Sequence, residues 1–90
     1  MPTFKIAHIR DMIIVPLTSD FGHKSDSDQQ AAIGELQMRA QAAGLGGIVV
    51  PVWDAGGGRM SFIAQDQWRA FFMSISLQWV FARVNRTLFW

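Results

Sequence analysis

The sequence predicts an α+β fold, a four-stranded mixed sheet covered by three helices in the order β-β-α-β-β-α-α. Three observations lead to this prediction. A glycine-centred hairpin, GGIVVPVWDAGGGRMSFIA, occupies residues 46–64. Two apolar runs precede residue 18, and apolar residues recur at helical spacing in two later stretches.

The first two strands are predicted at residues 4–9 and 12–17. The first has apolar residues at 4, 6 and 9 with polar Lys5 and His8 between them. The second, MIIVPL, is almost continuously apolar, which is typical of a central strand covered on both faces. Arg10 and Asp11 form a tight connection. Pro16 cannot donate a ladder hydrogen bond, so a bulge or the strand end is expected there.

A first helix is predicted to begin at Ser27, which forms a capping box with Gln30 three residues later. Gly44 suits the position just after its end. A helix between two strands allows them to pair in parallel, through a right-handed crossover. The predicted core stripe of this helix consists of Ile33, Leu36, Ala40 and Ala43.

The central hairpin supplies the third and fourth strands. Residues 48–53 are β-branched and aromatic, which suits a pleated, buried surface. Residues 54–58 contain three consecutive glycines and turn the chain. Residues 59–63 return as the fourth strand.

Two helices are predicted after the hairpin. The first begins near residue 65 and carries an aromatic stripe of Trp68, Phe71, Phe72 and Ile75. The second is capped by Ser76 and runs from residue 77 to about residue 89. Its predicted core face consists of Leu77, Val80, Phe81, Val84 and Leu88. The alternative is a ferredoxin-like βαββαβ fold with residues 79–84 as the last strand, but the single helical stripe favours a helix.

Composition indicates one globular domain over residues 1–90, since half of the residues are apolar and 17% are charged. The chain has no cysteine, and its N-terminus lacks the long apolar core of a signal peptide. The apolar run at residues 70–82 is too short to span a bilayer. We therefore expect a cytoplasmic protein without a membrane partner.

The strongest functional signal lies opposite the core face of the last predicted helix. Trp79, Arg83, Arg86 and Trp90 fall within about 60° of one another on a helical count. Trp and Arg are enriched at interface hot spots. The sequence therefore predicts a small non-enzymatic interaction module that binds a second copy of itself or another protein. The alternative interpretation is Arg stacked on Trp at a solvated face.

A second hypothesis is binding of nucleic acid or another anion. The hairpin loop, with Trp53, Asp54, Gly56, Gly57, Gly58 and Arg59, offers backbone N–H groups and one guanidinium for a phosphate. Arg59, Arg83 and Arg86 would supply the positive charge. A net charge of +1 argues against tight binding to nucleic acid.

A third hypothesis places a small enzyme or metal site on the loop at residues 20–28. Asp20, His23, Asp26 and Asp28 are oxygen and nitrogen ligands, and two serines lie among them. No nucleophile elbow surrounds either serine, and the glycine and terminal Glu of an EF-hand loop are missing. We therefore assign no catalytic residue, metal or cofactor from the sequence.

Overall fold

The structure is a computed structural model that describes residues 3–89. In chain order the elements are β1 (Thr3–Ile9), β2 (Met12–Leu17), a 3₁₀ helix (Ser19–His23), α1 (Asp26–Ala42), β3 (Ile48–Asp54), β4 (Met60–Phe62), a second 3₁₀ helix (Asp66–Trp68), α2 (Arg69–Met73), α3 (Leu77–Ala82) and β5 (Arg86–Phe89). The strands form one open sheet in the order β4-β3-β2-β1-β5.

The sheet is mixed. β1 and β2 form an antiparallel hairpin, β2 and β3 are parallel across α1, and β3 and β4 are antiparallel. β5 returns antiparallel to the free side of β1. The predicted α+β class, mixed sheet and three helices are confirmed, but the predicted count of four strands is wrong.

The fifth strand replaces the end of the predicted last helix. α3 ends at Ala82, and Arg86–Phe89 pair with β1 instead of continuing the helix. Without β5, the backbone N–H and C=O groups on this side of β1 would have no strand to pair with. Asn85 fixes the start of the pairing, because its Oδ1 accepts from His8 N at 2.9 Å and its Nδ2 donates to His8 O at 3.0 Å. The ferredoxin-like alternative is also wrong, because residues 79–82 are helical.

One core lies between the sheet and α1. Alternate residues of the strands face the helix and meet the buried Leu36 and Ala40. The buried members of this core are Ile6, Ile13, Val15, Leu36, Ala40, Val49 and Leu88. Ile33 is half-buried as expected, but Ala43 is exposed because α1 has already ended there.

The other core lies between the sheet and the pair α2–α3. Phe72 is 1% exposed and packs against Ile14 and Val50 of the strands. Its ring centroid lies 5.2 Å from that of Phe71 and 5.4 Å from that of Phe62. The predicted aromatic stripe of α2 therefore packs on the sheet.

The boundaries of α1 follow local chemistry. Ser25, rather than the predicted Ser27, caps the helix by accepting from Asp28 N at 3.2 Å. Gly44 has φ +82°, and Leu45 N donates to Ala40 O at 2.9 Å, as expected for a glycine-terminated helix. The predicted terminus of α1 at Gly44 is confirmed.

Candidate functional site

A cleft of about 370 Å³ opens at the carboxyl ends of the parallel strands β2 and β3. Open α/β sheets commonly bind ligands at this end of their strands. One wall is the 3₁₀ helix that follows β2, and the other is the turn between β3 and β4. The lining residues are Ser19, Gly22, His23, Trp53, Asp54, Ala55, Gly56 and Ser61.

Trp53 forms the inner wall of this cleft. Its side chain is only 9% exposed, and its ring centroid lies 5.0 Å from that of Phe21. No acceptor within residues 3–89 takes its indole N–H, which nevertheless keeps accessible surface. Gly22 lies beside this nitrogen, since a Cβ at Gly22 would be only 2.5 Å from Trp53 Nε1. The cleft therefore has a fixed hydrogen-bond donor that no group within residues 3–89 uses.

The turn after β3 leaves few free backbone N–H groups for the phosphate site predicted there. Gly56 N donates to Asp54 Oδ1 at 2.7 Å, Ala55 N to Arg59 O at 2.7 Å, and Arg59 N to Gly56 O at 3.1 Å. These donors are used inside the turn, beside a carboxylate that repels anions. Arg59 lines a neighbouring cleft, next to β4 and Arg69, which shares Trp53 and Ser61 with this one. Gly57 and Gly58 lie at the exposed tip.

The residues of the proposed metal and enzyme loop are spread over several elements. Asp20 and His23 lie on the first 3₁₀ helix, whereas Asp26 and Asp28 lie in the first turn of α1. In the part of the chain that the structure describes, no three His, Cys, Asp or Glu side chains are grouped to hold a metal ion. Of the four, only His23 lines the cleft.

The structure divides the predicted interaction stripe. Trp79 is half-buried on α3, and its ring centroid lies 5.6 Å from that of Phe71. Arg83 follows α3, with its Cζ 4.0 Å from the centre of the Trp79 ring. Arg86 belongs to β5, and Trp90 lies outside the described residues. Trp79 and Arg83 stay together, whereas Arg86 is on another element.

The exposed apolar surface lies elsewhere. Phe81, predicted to be in the core, is 57% exposed on α3, and Phe89 is 65% exposed on β5. Phe81 and Thr3 line one cavity of about 540 Å³, and Thr3 is the register partner of Phe89. Phe81 and Phe89 therefore flank the same end of the sheet. We call Phe81, Phe89 and the outer side of β5 the edge patch.

Sequence reasoning missed Ser19, Gly22 and Ser61 in the cleft and Phe89 in the edge patch. Gly22 stands next to an aromatic residue in a polar loop, which is a signal for close approach of the backbone to another group. Ser61 carries no signal of its own, because its place depends on its register opposite Trp53.

Scans of protein-family models, curated proteins and solved structures found no match to this chain. Function is therefore inferred from its own residues. Among the helices within residues 3–89, none has the length and apolar character to cross a membrane.

Proposed function

We propose that this chain is a small non-enzymatic interaction module that assembles with a second copy of itself. The observation that carries the proposal is the edge patch. Within residues 3–89, no strand pairs with the outer side of β5, so its backbone groups there lack a strand partner. Sheets with such edges tend to pair with another chain unless the edge is protected. Within residues 3–89, the edge strand itself carries an exposed ring, Phe89, and the exposed Phe81 lies on α3 in the cavity lined by Thr3, the register partner of Phe89.

A second copy fits this edge by symmetry. An antiparallel strand pair is self-complementary, so one two-fold axis perpendicular to the sheet satisfies both edges. If the axis passes beside Leu88, each Leu88 lies opposite the partner's Leu88, and each Thr87 lies opposite the partner's Phe89. Both copies of α3 then lie on one side of a continuous sheet. The net charge of +1 imposes little repulsion between the copies.

The area available is consistent with a weak to moderate dimer. A buried aromatic side chain covers about 150–250 Å². At 57% and 65% exposure, Phe81 and Phe89 from two copies offer several hundred Å². The paired strands and neighbouring side chains add to this, and a stable interface needs about 1,200–2,000 Å² in total. We therefore expect association in the micromolar range.

Light scattering coupled to size exclusion tests the proposal. Wild type should elute as a dimer at high micromolar concentration. Combined Phe81→Glu and Phe89→Glu should give a folded monomer, because both side chains are already largely in water. Met38→Glu is the matched control, since Met38 is 59% exposed on α1.

A monomeric wild type would refute the proposal. So would a control that dissociates as completely as the Phe variant. The chain lacks cysteine, which suits the reducing cytoplasm that we propose as its compartment.

A further inference from the structure

We propose that the cleft at the carboxyl ends of β2 and β3 binds a small, uncharged, hydroxyl-rich molecule such as a monosaccharide or another polyol. This site is separate from the edge patch, and the inference does not depend on self-association.

The unused donor of Trp53 is the first reason. A polar group on a side chain that is nine-tenths buried normally has a hydrogen-bond partner, either a protein group or an ordered water. The Trp53 indole N–H has no protein partner within residues 3–89, although the ring packs against Phe21 and lies close to Gly22. A ligand acceptor, or water in its absence, must satisfy it.

Gly22 keeps this donor open. Its φ lies outside the left-handed region, so backbone conformation does not require glycine here. The steric reason is clear, because a Cβ would lie 2.5 Å from Trp53 Nε1 and 3.1 Å from Trp53 Cδ1. Any larger residue would push the indole away or cover its N–H.

The remaining polar groups determine the class of ligand. Ser19 and Ser61 supply hydroxyls that donate and accept, and Asp54 supplies a carboxylate acceptor. His23 can donate or accept through its ring nitrogens. Among the described residues that line this cleft there is neither Lys nor Arg, and Arg59 lies in the neighbouring cleft, so an anion meets no guanidinium or ammonium in the lining itself. A simple ammonium has no acceptor for the indole N–H. Hydroxyl groups can accept from the indole N–H and also donate to the Asp54 carboxylate, so they match both the donors and the acceptors of the lining.

The volume limits the ligand to a small one. Ligand pockets range from about 300 to 1,000 Å³, and this cleft of about 370 Å³ lies near the lower limit.

The test follows the Trp53 indole N–H directly. ¹H–¹⁵N spectra of the full chain are recorded while glucose, ribose, myo-inositol or glycerol is added up to high millimolar concentration. Trp53→Phe identifies the signal by its disappearance. We expect at least one probe to shift the Trp53 signal saturably and to leave the other indole signals in place.

Two variants separate binding from general effects. Gly22→Ala should abolish the saturable shift, whereas Gly34→Ala should not change it, since nothing lies within 4 Å of a Cβ at Gly34. Ser61→Ala, which retains Trp53, should weaken binding about tenfold through the loss of one hydroxyl. It also serves if Gly22→Ala does not fold. The proposal is overturned if no probe shifts the signal, or if Ser61→Ala binds as tightly as wild type.

Discussion

Replacing Gln37 with Ala is expected to destabilise the fold by about 2–4 kcal/mol. Gln37 lies on α1 and makes two contacts with the start of β3. Its Nε2 donates to Gly47 O at 2.9 Å, and its Oε1 accepts from Val49 N at 2.9 Å. The pairing of β4 with β3 begins at Val52, and one further bond from Ile63 N reaches Pro51 O, so within residues 3–89 no strand reaches Val49 on this side. The Gln37 amide takes the place of that missing strand.

The magnitude follows from the two bonds and from what their loss exposes. Each neutral hydrogen bond contributes about 0.5–1.5 kcal/mol net. Val49 is 3% exposed, so its N–H without an acceptor costs a further 1–3 kcal/mol, roughly. Water entering the half-buried space left by Gln37 reduces this cost. Alanine's better helix propensity offsets a few tenths of a kcal/mol.

Urea unfolding followed by tryptophan fluorescence measures the change. Gln41→Ala is the matched control, because Gln41 lies one turn later on α1 and is exposed. We expect the control to change stability by less than about 0.5 kcal/mol. A similarly small loss for Gln37→Ala would refute the reasoning, since it would show that water replaces both bonds at no cost.

Gln37→Glu tests the donor half of the contact separately. One carboxylate oxygen can still accept from Val49 N, but the other faces Gly47 O without a proton. The protonated acid restores that donor, so the folded-state pKa of the new carboxyl is raised above its usual value of about 4.3. The stabilising bond is present below that value and is lost as pH rises through the raised pKa. The deficit relative to wild type should therefore be larger at neutral pH than in mild acid.

Three further predictions concern stability in the same urea assay. Leu36→Ala should cost about 2–5 kcal/mol by opening a cavity between α1 and the sheet, and a loss under about 1 kcal/mol would contradict its 4% exposure. Asn85→Ala should cost about 1–2 kcal/mol through two partly solvated bonds to His8, and no change would show that β5 needs no such anchor. Arg10→Gly should stabilise by up to about 1 kcal/mol, because Arg10 has φ +53°, and a loss would indicate that its side chain contributes contacts.

Local patterns predicted most of the fold correctly. The runs of β2 and β3 combine continuous apolar character with strand propensity, and the aromatic stripe of α2 has helical spacing. Gly44 likewise marked the end of α1. In such segments the secondary structure that the local sequence favours is also the one that buries its apolar residues, so tertiary contacts do not change it.

The residues after Ala82 were mispredicted for a specific reason. Val80, Val84 and Leu88 lie four residues apart, which imitates one helical face. Leu88 is instead buried from β5, flanked by exposed Thr87 and Phe89 in a short strand alternation. The pairing with β1 and the Asn85 bonds to His8 are long-range contacts that no local window contains. The helix face was also misassigned: Trp79, expected opposite the core, is half-buried, and Phe81, expected in the core, is exposed.

The candidate cleft shows the same limit. The loops at residues 20–28 and 53–59 were each singled out, but on separate hypotheses. Only the parallel pairing of Leu17 with Trp53 brings their ends together, and only the antiparallel register places Ser61 opposite Trp53. The position of the Trp53 N–H, which has no acceptor in the described part of the chain, follows from tertiary packing against Phe21 and Gly22, and composition does not encode that packing.

The sheet order separates the two proposed surfaces. Self-association uses β5 at one edge, whereas the cleft lies at the ends of β2 and β3, with β1 between β2 and β5. Strands are about 4.8 Å apart, so β3 lies about 14 Å from β5 across the sheet. A dimer built on the edge patch therefore leaves both clefts open and adds no residue to either. Neither ligand binding nor dimer formation favours one conformation of the sheet over another. The coupling free energy between the two binding events should therefore be close to zero. Ligand affinity should then be the same at protein concentrations far below and far above dimer formation.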